Sequence, residues 1–382
     1  MYPGTMVIGA MTTSAGSNGS TESNAPQGSL ATLTAFGGWA EVFASLTARR
    51  DLPPEIMQAA VAEILQGAAT PAQIGALLIG LRTKGESVTE LGAALQAMLA
   101  VSVAIPLSDA TREKAICTCG TGGDRSNSIN ISTTAMFVVA GAGGVICKHG
   151  GRASSSQSGS ADVLEALGVV LELSPASVAR CIEEVGVGFC LAPRFHPAMR
   201  HAAPVRRELG VASMFNFLGP IANPGRVRRQ LVGVADPSMA PKMASVLAGQ
   251  GTVSALFVHG HDGLDELTTT TTSTIWALQS DGSVIESVFD PSSVGMGRAH
   301  SADLLGGSAA QNAGALTRVL DGAPGPQRDI VVLNAGAGLV AAGLASTVAE
   351  GVGQAQAALD NGAARGVLDR LVALTEALRE PA

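Results

Sequence analysis

The stretch Cys119–Gly168 decides how this chain is read. It runs CGTGGDRSNSINIST over Cys119–Thr133, continues through an apolar segment, and ends in VICKHGGRASSSQSGSADVLEALG over Val145–Gly168. Two glycine-rich loops each follow a run suited to a strand and lead into a run suited to a helix. Gly120-Thr121-Gly122-Gly123-Asp124 follows Ala115–Cys119, and His149-Gly150-Gly151-Arg152 follows Val145–Lys148. Between them, Asn130-Ile131-Ser132-Thr133 opens the segment Ala135–Ala142. Glycines let the backbone approach closely, several N–H groups point one way, and a helix N-terminus favours negative charge. Ser132, Thr133 and Ser154–Ser156 supply hydroxyl donors, and Lys148 and Arg152 supply cations. Together these features point to a site for a ligand that carries more than one phosphate.

Outward from this stretch, strand-like and helix-like runs alternate. Expected strands are Ala115–Cys119, Val145–Lys148, Val169–Leu171, Gly188–Leu191, Gln230–Val234 and Ser254–His259. Expected helices are Thr133–Ala142, Ser160–Leu167, Ala176–Val185, Met239–Gly249, Ile330–Ala342 and Leu368–Leu378. Such alternation predicts a mostly parallel sheet covered on both faces. Thr274–Leu278 and Val284–Phe289, joined by Gln279-Ser280-Asp281-Gly282-Ser283, read as an antiparallel hairpin. Upstream, Trp39–Val103 reads as consecutive helices, with capping boxes at Thr70-Pro71-Ala72-Gln73 and Ser87-Val88-Thr89-Glu90. The expected organisation is therefore a tail over 1–28, a small helical domain over 29–104 and a larger α/β domain over 105–382. Part of 193–225, crowded with Arg and His, crosses back to the helical domain and forms a wall of a cleft.

Composition limits the functional classes. The chain has 382 residues, of which 46% are apolar and 14% charged, so a sizeable core is expected. A net charge of −7 argues against nucleic-acid binding through a broad basic surface. The five cysteines are odd in number and lack metal-finger spacing; buried reduced thiols and a cytoplasmic location are expected. The first 28 residues lack the cationic and apolar regions of a signal peptide, and no apolar window is long enough to span a membrane.

Several groups keep two readings at this stage. Asp265 and Glu266, after the strand Ser254–His259, form either a solvated acidic loop or a pair that binds Mg²⁺ beside the phosphate loops. In the second reading the cation relieves the repulsion between the acids and an anionic ligand. The run Thr268–Thr272 is low in complexity and compatible with a strand. Arg206 either pairs with Glu208 at the surface or forks onto a carboxylate or phosphate. His149 and His196 are candidates for purely structural roles.

The combined motifs resemble those of the anthranilate phosphoribosyltransferase family. The residues that carry the likeness are Gly120–Asp124, Asn130–Thr133, Lys148–Arg152, Ser158–Gly168 and Asp265-Glu266, in order, within a resemblance that runs from about Trp39 to the C-terminus. The resemblance implies a helical domain plus an α/β domain, a fold also seen in pyrimidine nucleoside phosphorylases, and a homodimer formed through the helical domain. It implies transfer of phosphoribose from phosphoribosyl pyrophosphate to anthranilate in tryptophan biosynthesis, with Mg²⁺. By matching positions, phosphoribosyl pyrophosphate would meet Gly120, Gly123, Asp124, Ser128, Asn130, Ile131, Ser132, Thr133, Lys148, His149, Gly150, Gly151, Arg152, Ala153, Ser154, Ser155, Ser156 and Ser160. Gly120, Gly151 and Arg206 would face the acceptor, and Ser132, Asp265 and Glu266 would hold the metal. One position departs from the family pattern Lys-His-Gly-Asn-Arg: Gly151 stands where the asparagine is expected. Losing one such hydrogen bond costs about 0.5–1.5 kcal/mol. A paralogue that uses a different aromatic acid or amine is therefore the alternative reading.

Overall fold

The computed structural model describes residues 32–153 and 157–380. The expected tail over 1–28 lies outside the described residues, as do Ser154, Ser155 and Ser156.

Four α-helices come first among the described residues: α1 (Gly38–Thr47), α2 (Pro54–Gln66), α3 (Pro71–Lys84) and α4 (Val88–Ala100). Both expected capping boxes form, at Thr70/Gln73 and Ser87/Glu90. The second does more than cap. Glu90 is fully buried, and its carboxylate accepts from Leu52 N–H (2.9 Å), Ser87 N–H (2.9 Å) and Lys84 Nζ (2.8 Å). A buried acid is tolerated when it is paired and its lone pairs are used in this way.

The short helix α5 (Asp109–Lys114) leads into β1 (Ala115–Gly120), α6 (Ile131–Gly141), β2 (Val145–Gly150), α7 (Ser160–Ala166), α8 (Pro175–Val185) and β3 (Val187–Leu191). Next come α9 (Ala192–Phe195), α10 (Ala203–Leu209) and α11 (Met214–Ile221). This segment packs back onto α2, α3 and α4. The chain then returns through β4 (Arg229–Gly233), α12 (Ala240–Ala248), β5 (Ser254–Gly260) and the hairpin β6 (Ser273–Leu278) and β7 (Val284–Phe289). It ends in α13 (Ala309–Leu320), α14 (Pro326–Ala342), α15 (Val348–Asp360) and α16 (Ala363–Ala377).

The seven strands form one sheet in the order β3-β2-β1-β4-β5-β6-β7, parallel from β3 to β5 and antiparallel beyond. The protein is thus an N-terminal helical domain joined to an α/β domain with a mostly parallel sheet. From β1 the chain builds outward to β3 on one side, then reverses to β4 on the other. The C-terminal ends of β1 and β4 lie side by side, with Gly120 opposite Gly233. This switch of direction opens a crevice, the usual ligand site of such sheets. Both faces are covered. Gly338 of α14 lies over Thr118 and Leu231, whereas the neighbouring Cys119 Sγ reaches Pro220 O of α11 (3.4 Å).

Two expectations need correction. Val169–Leu171 is not a strand: Val170 N–H donates to Thr375 Oγ1 of α16 (3.2 Å) and Val169 N–H to Leu164 O (3.0 Å), so no sheet ladder forms. Thr268–Thr272 is not a strand either. The hydroxyls of Thr268 (2.7 Å) and Thr270 (2.5 Å) donate to Asp262 Oδ2, and His261 bonds Thr272 Oγ1 (2.8 Å), which bends the run ahead of β6. Helices α13 and α15 were not anticipated. Their signals were Ser308 with Gln311 and Thr347 with Glu350, N-cap pairs before helices with a buried apolar face.

Candidate active site

An open cavity of about 190 Å³ lies beyond the end of β1, between the loop that follows it, the starts of α6 and α7, and the acidic pair. Its first wall is the loop after β1. Gly122 and Gly123 have φ of 63° and 86°, where only glycine is unstrained. Arg125 and Asn127 share the left-handed region at 58° and 53° without that freedom. Such conformations persist when the surroundings fix them. Here Gly306 N–H donates to Asn127 O (2.8 Å), Ile129 N–H donates to Leu304 O (2.9 Å), and Ser128 pairs with Leu305 in a short bridge.

The second wall is the acidic pair. Asp265 Oδ2 accepts from Gly122 N–H at 2.7 Å. A Cβ on Gly120 would sit on that carboxylate, and one on Gly233 would overlap the Asp265 carbonyl. The two strand-end glycines therefore make the space in which Asp265 is seated. Glu266 is buried near Ser132, whose hydroxyl and backbone favour its charged form, and near Lys148. Burial pushes Glu266 up to about 7; Lys148 opposes this and the Asp124 charge adds to it. Burial also raises Asp265 well above the ordinary carboxylate range, with further push from Asp124 and Glu266. Two adjacent buried acids thus feel the Asp124 charge and the buried Lys148 side chain, a setting that suits a divalent cation and its hard oxygen ligands. Among the described residues no three His, Cys, Asp or Glu side chains close into a preformed metal cage. Mg²⁺ needs none, since it binds through one or two carboxylates plus substrate phosphates.

The expected site residues fall into two groups. Gly120, Gly123, Asp124, Ser128, Asn130, Ile131, Ser132, Thr133, Ser160, Asp265 and Glu266 line the cavity. Among the described residues, those of the second glycine loop do not line it. Lys148 is 1% exposed, and its Nζ donates to Thr118 O and to Ser132 Oγ (3.2 Å) beneath the floor. His149 is buried on the α11 side, with Nδ1 3.1 Å from Gly219 O and its ring 5.0 Å from that of His196. Gly150 lies under Phe189, and the Gly151 carbonyl accepts from Ala161 N–H (3.1 Å). Arg152 turns to Asp162 and Glu165, and Ala153 N–H donates to Asp162 Oδ2 (2.9 Å). Arg206, on α10, does not pair with Glu208. Its Nη2 donates to Asn216 Oδ1 (3.4 Å), its guanidinium lies 5.6 Å from the Phe215 ring centre, and burial lowers its pKa. Its Nε is buried without a hydrogen-bond partner among the described residues.

The sequence reading missed Arg125, Ser126 and Asn127, which also line the cavity. Their signal was present: a cation and two small polar residues directly after the glycines.

Comparison with known proteins matches this geometry. The helical bundle domain of the glycosyl transferase family matches residues 40–102, and that family's a/b domain matches residues 112–365. The anthranilate phosphoribosyltransferase of Thermomicrobium roseum is 50% identical over 323 residues, 84% of this chain and 92% of that protein. That of a Nocardioides species is 51% identical over 342 residues, covering 88% and 98%. The crystal structure of the Thermus thermophilus enzyme superposes with a TM-score of 0.81 at 38% identity, covering 87% of this chain and 99% of that one. The Saccharomyces cerevisiae enzyme, solved in complex with PRPP and Mg, superposes with a TM-score of 0.79 at 26% identity, covering 89% and 98%. These relatives favour anthranilate over the alternative acceptor raised by Gly151. With half of its residues shared across nearly the full length of such enzymes, the chain belongs to the anthranilate phosphoribosyltransferases of the glycosyl transferase family.

Proposed function

We propose that the protein transfers the phosphoribosyl group of phosphoribosyl pyrophosphate to the amine of anthranilate and releases pyrophosphate, a step of tryptophan biosynthesis. The observation that carries this reading is the seat of Asp265 and Glu266 against the glycine loop and Ser132. Acids pressed against an oxyanion-binding loop make chemical sense when a cation joins them to the ligand's phosphates. In the reaction the amine nitrogen bonds to ribose C1 as the C1–O bond to pyrophosphate breaks, and the nitrogen then gives its proton to pyrophosphate or water. An aromatic amine is neutral near pH 7, so the protein needs to position and stabilise charge more than to remove a proton. The N–H groups of Gly123 and Asp124 would grip pyrophosphate, and the start of α6 with Ser132 and Thr133 would hold the 5′-phosphate. Lys148 would act through Ser132. Arg206, with donors to spare, would take the anthranilate carboxylate, alongside Gly120 and Gly151. Ser132, Asp265 and Glu266 would hold Mg²⁺, which when bound neutralises the departing pyrophosphate. The five free buried thiols suit the cytoplasm, and Ile79 on α3 and Val88 on α4, both exposed and apolar, suit a homodimer through the helical domain.

The test is loss of anthranilate fluorescence on mixing with phosphoribosyl pyrophosphate and Mg²⁺, followed by the Asp265→Asn/Glu266→Gln double variant. Turnover should need Mg²⁺ and should drop at least about tenfold in a variant that remains folded. No product from anthranilate at about 1 mM would refute the acceptor, and an unchanged Mg²⁺ requirement in the double variant would refute the metal ligands.

A further inference from the structure

Asn334 is a lone polar residue in the apolar run Ile330–Ala335 of α14, and it is 1% exposed. A buried amide must find partners, and this one finds three. Its Oδ1 accepts from Leu267 N–H (2.9 Å), while its Nδ2 donates to Leu267 O (2.8 Å) and to Ile330 O (2.9 Å). Leu267 follows Glu266 directly and lies between β5 and β6, outside both strands. Its N–H and C=O therefore have no sheet ladder, and the Asn334 amide substitutes for a neighbouring strand at this one residue. The Leu267 side chain is fully buried, which anchors the same point through packing. Farther along α14 the helix rests on the sheet through Gly338, which lies against Thr118 of β1 and Leu231 of β4. The position of Leu267 is thereby referred to the two strands whose ends form the crevice.

We propose that Asn334 is a positioning residue for the acidic pair: by clamping both backbone groups of Leu267 from α14, it fixes where Asp265 and Glu266 present their carboxylates to the site. The inference rests on the metal role given to these acids above. Groups that orient metal ligands typically change metal affinity 10–100-fold when removed. Asn334→Asp keeps an acceptor for Leu267 N–H but sets a carboxylate against two carbonyl oxygens. Asn334→Ser keeps a single small hydroxyl and serves as a milder variant if the first does not fold.

The experiment measures Mn²⁺ binding by electron paramagnetic resonance in the presence of phosphoribosyl pyrophosphate, together with the bound stoichiometry and the KM for Mg²⁺. The expected result is a Kd for Mn²⁺ weaker by at least about tenfold at unchanged stoichiometry. A merely structural role would lower the stoichiometry, through loss of folded protein, and leave Kd unchanged; that result overturns the proposal while leaving the metal site standing. If the unaltered protein binds no Mn²⁺ under these conditions, the metal reading itself falls, and the positioning role with it.

Discussion

Acidification should weaken this fold through His149, by an amount that follows from its surroundings. The ring lies on the α11 side of β2, with Nδ1 3.1 Å from the carbonyl of Gly219. Nδ1 must carry the proton to donate there, so Nε2 is bare in the neutral ring. Nε2 is buried and without a hydrogen-bond partner among the described residues. A second proton would therefore sit on an atom with no acceptor, with His196 facing it and Lys148 adjacent. Burial first, and the His196 ring second, push His149 from 6.5 down to about 3. The folded protein thus keeps this ring neutral, whereas the unfolded chain takes up a proton near pH 6.5. Below that pH the unfolded state binds more protons, so stability falls as pH drops, continuing until about pH 3. At pH 5 the difference is RT ln(1 + 10^1.5), about 2 kcal/mol; across the whole window it reaches about 5 kcal/mol. The assay is urea unfolding followed by circular dichroism at about pH 8 and about pH 5, for the protein and for His149→Asn. His196 remains in both, so its own burial effect largely cancels. The protein should lose about 2 kcal/mol more than the variant on acidification. Equal losses, to within about 0.5 kcal/mol, would refute the buried neutral imidazole.

Two further substitutions test the site. Gly120→Ala places a methyl on the Asp265 carboxylate and should lower kcat/KM at least about tenfold, whereas Gly122→Ala meets open space and costs only its backbone strain, about 1–2 kcal/mol of stability. Steady-state kinetics and thermal melts on both variants separate the two effects, and equal kinetic losses would count against the seat described for Asp265. Arg206→Ala should raise the KM for anthranilate about 10–100-fold, the worth of a hydrogen bond to a charged group, with the KM for phosphoribosyl pyrophosphate unchanged. A rise in the second constant alone would assign Arg206 to the sugar phosphate.

Local signals carried much of this architecture. The alternation of runs after Ala115, the two N-terminal capping boxes and the Asp281-Gly282 turn located most elements to within a few residues. They work because helix starts and strand faces are written in residues close together in the chain. The same holds for the first wall of the site, since Gly120–Asp124 and Asn130–Thr133 are contiguous with the strand and helix that present them.

What the sequence determined by itself was therefore the alternating α/β frame, the helical prefix and the donor-rich glycine loop. Only the tertiary structure decided which distant groups meet that loop. Asp265 reaches Gly122 across 143 residues because β4 crosses to the far side of β1, a consequence of sheet order that no local pattern encodes. Folding also sorted the second glycine loop. Lys148 went under the floor and Arg152 to Glu165, because strand alternation and helix packing set which side of the sheet each residue faces. The Asn334 clamp on Leu267 belongs to this second category as well: an amide within an apolar run shows its purpose only once packing brings an unpaired stretch of backbone against it.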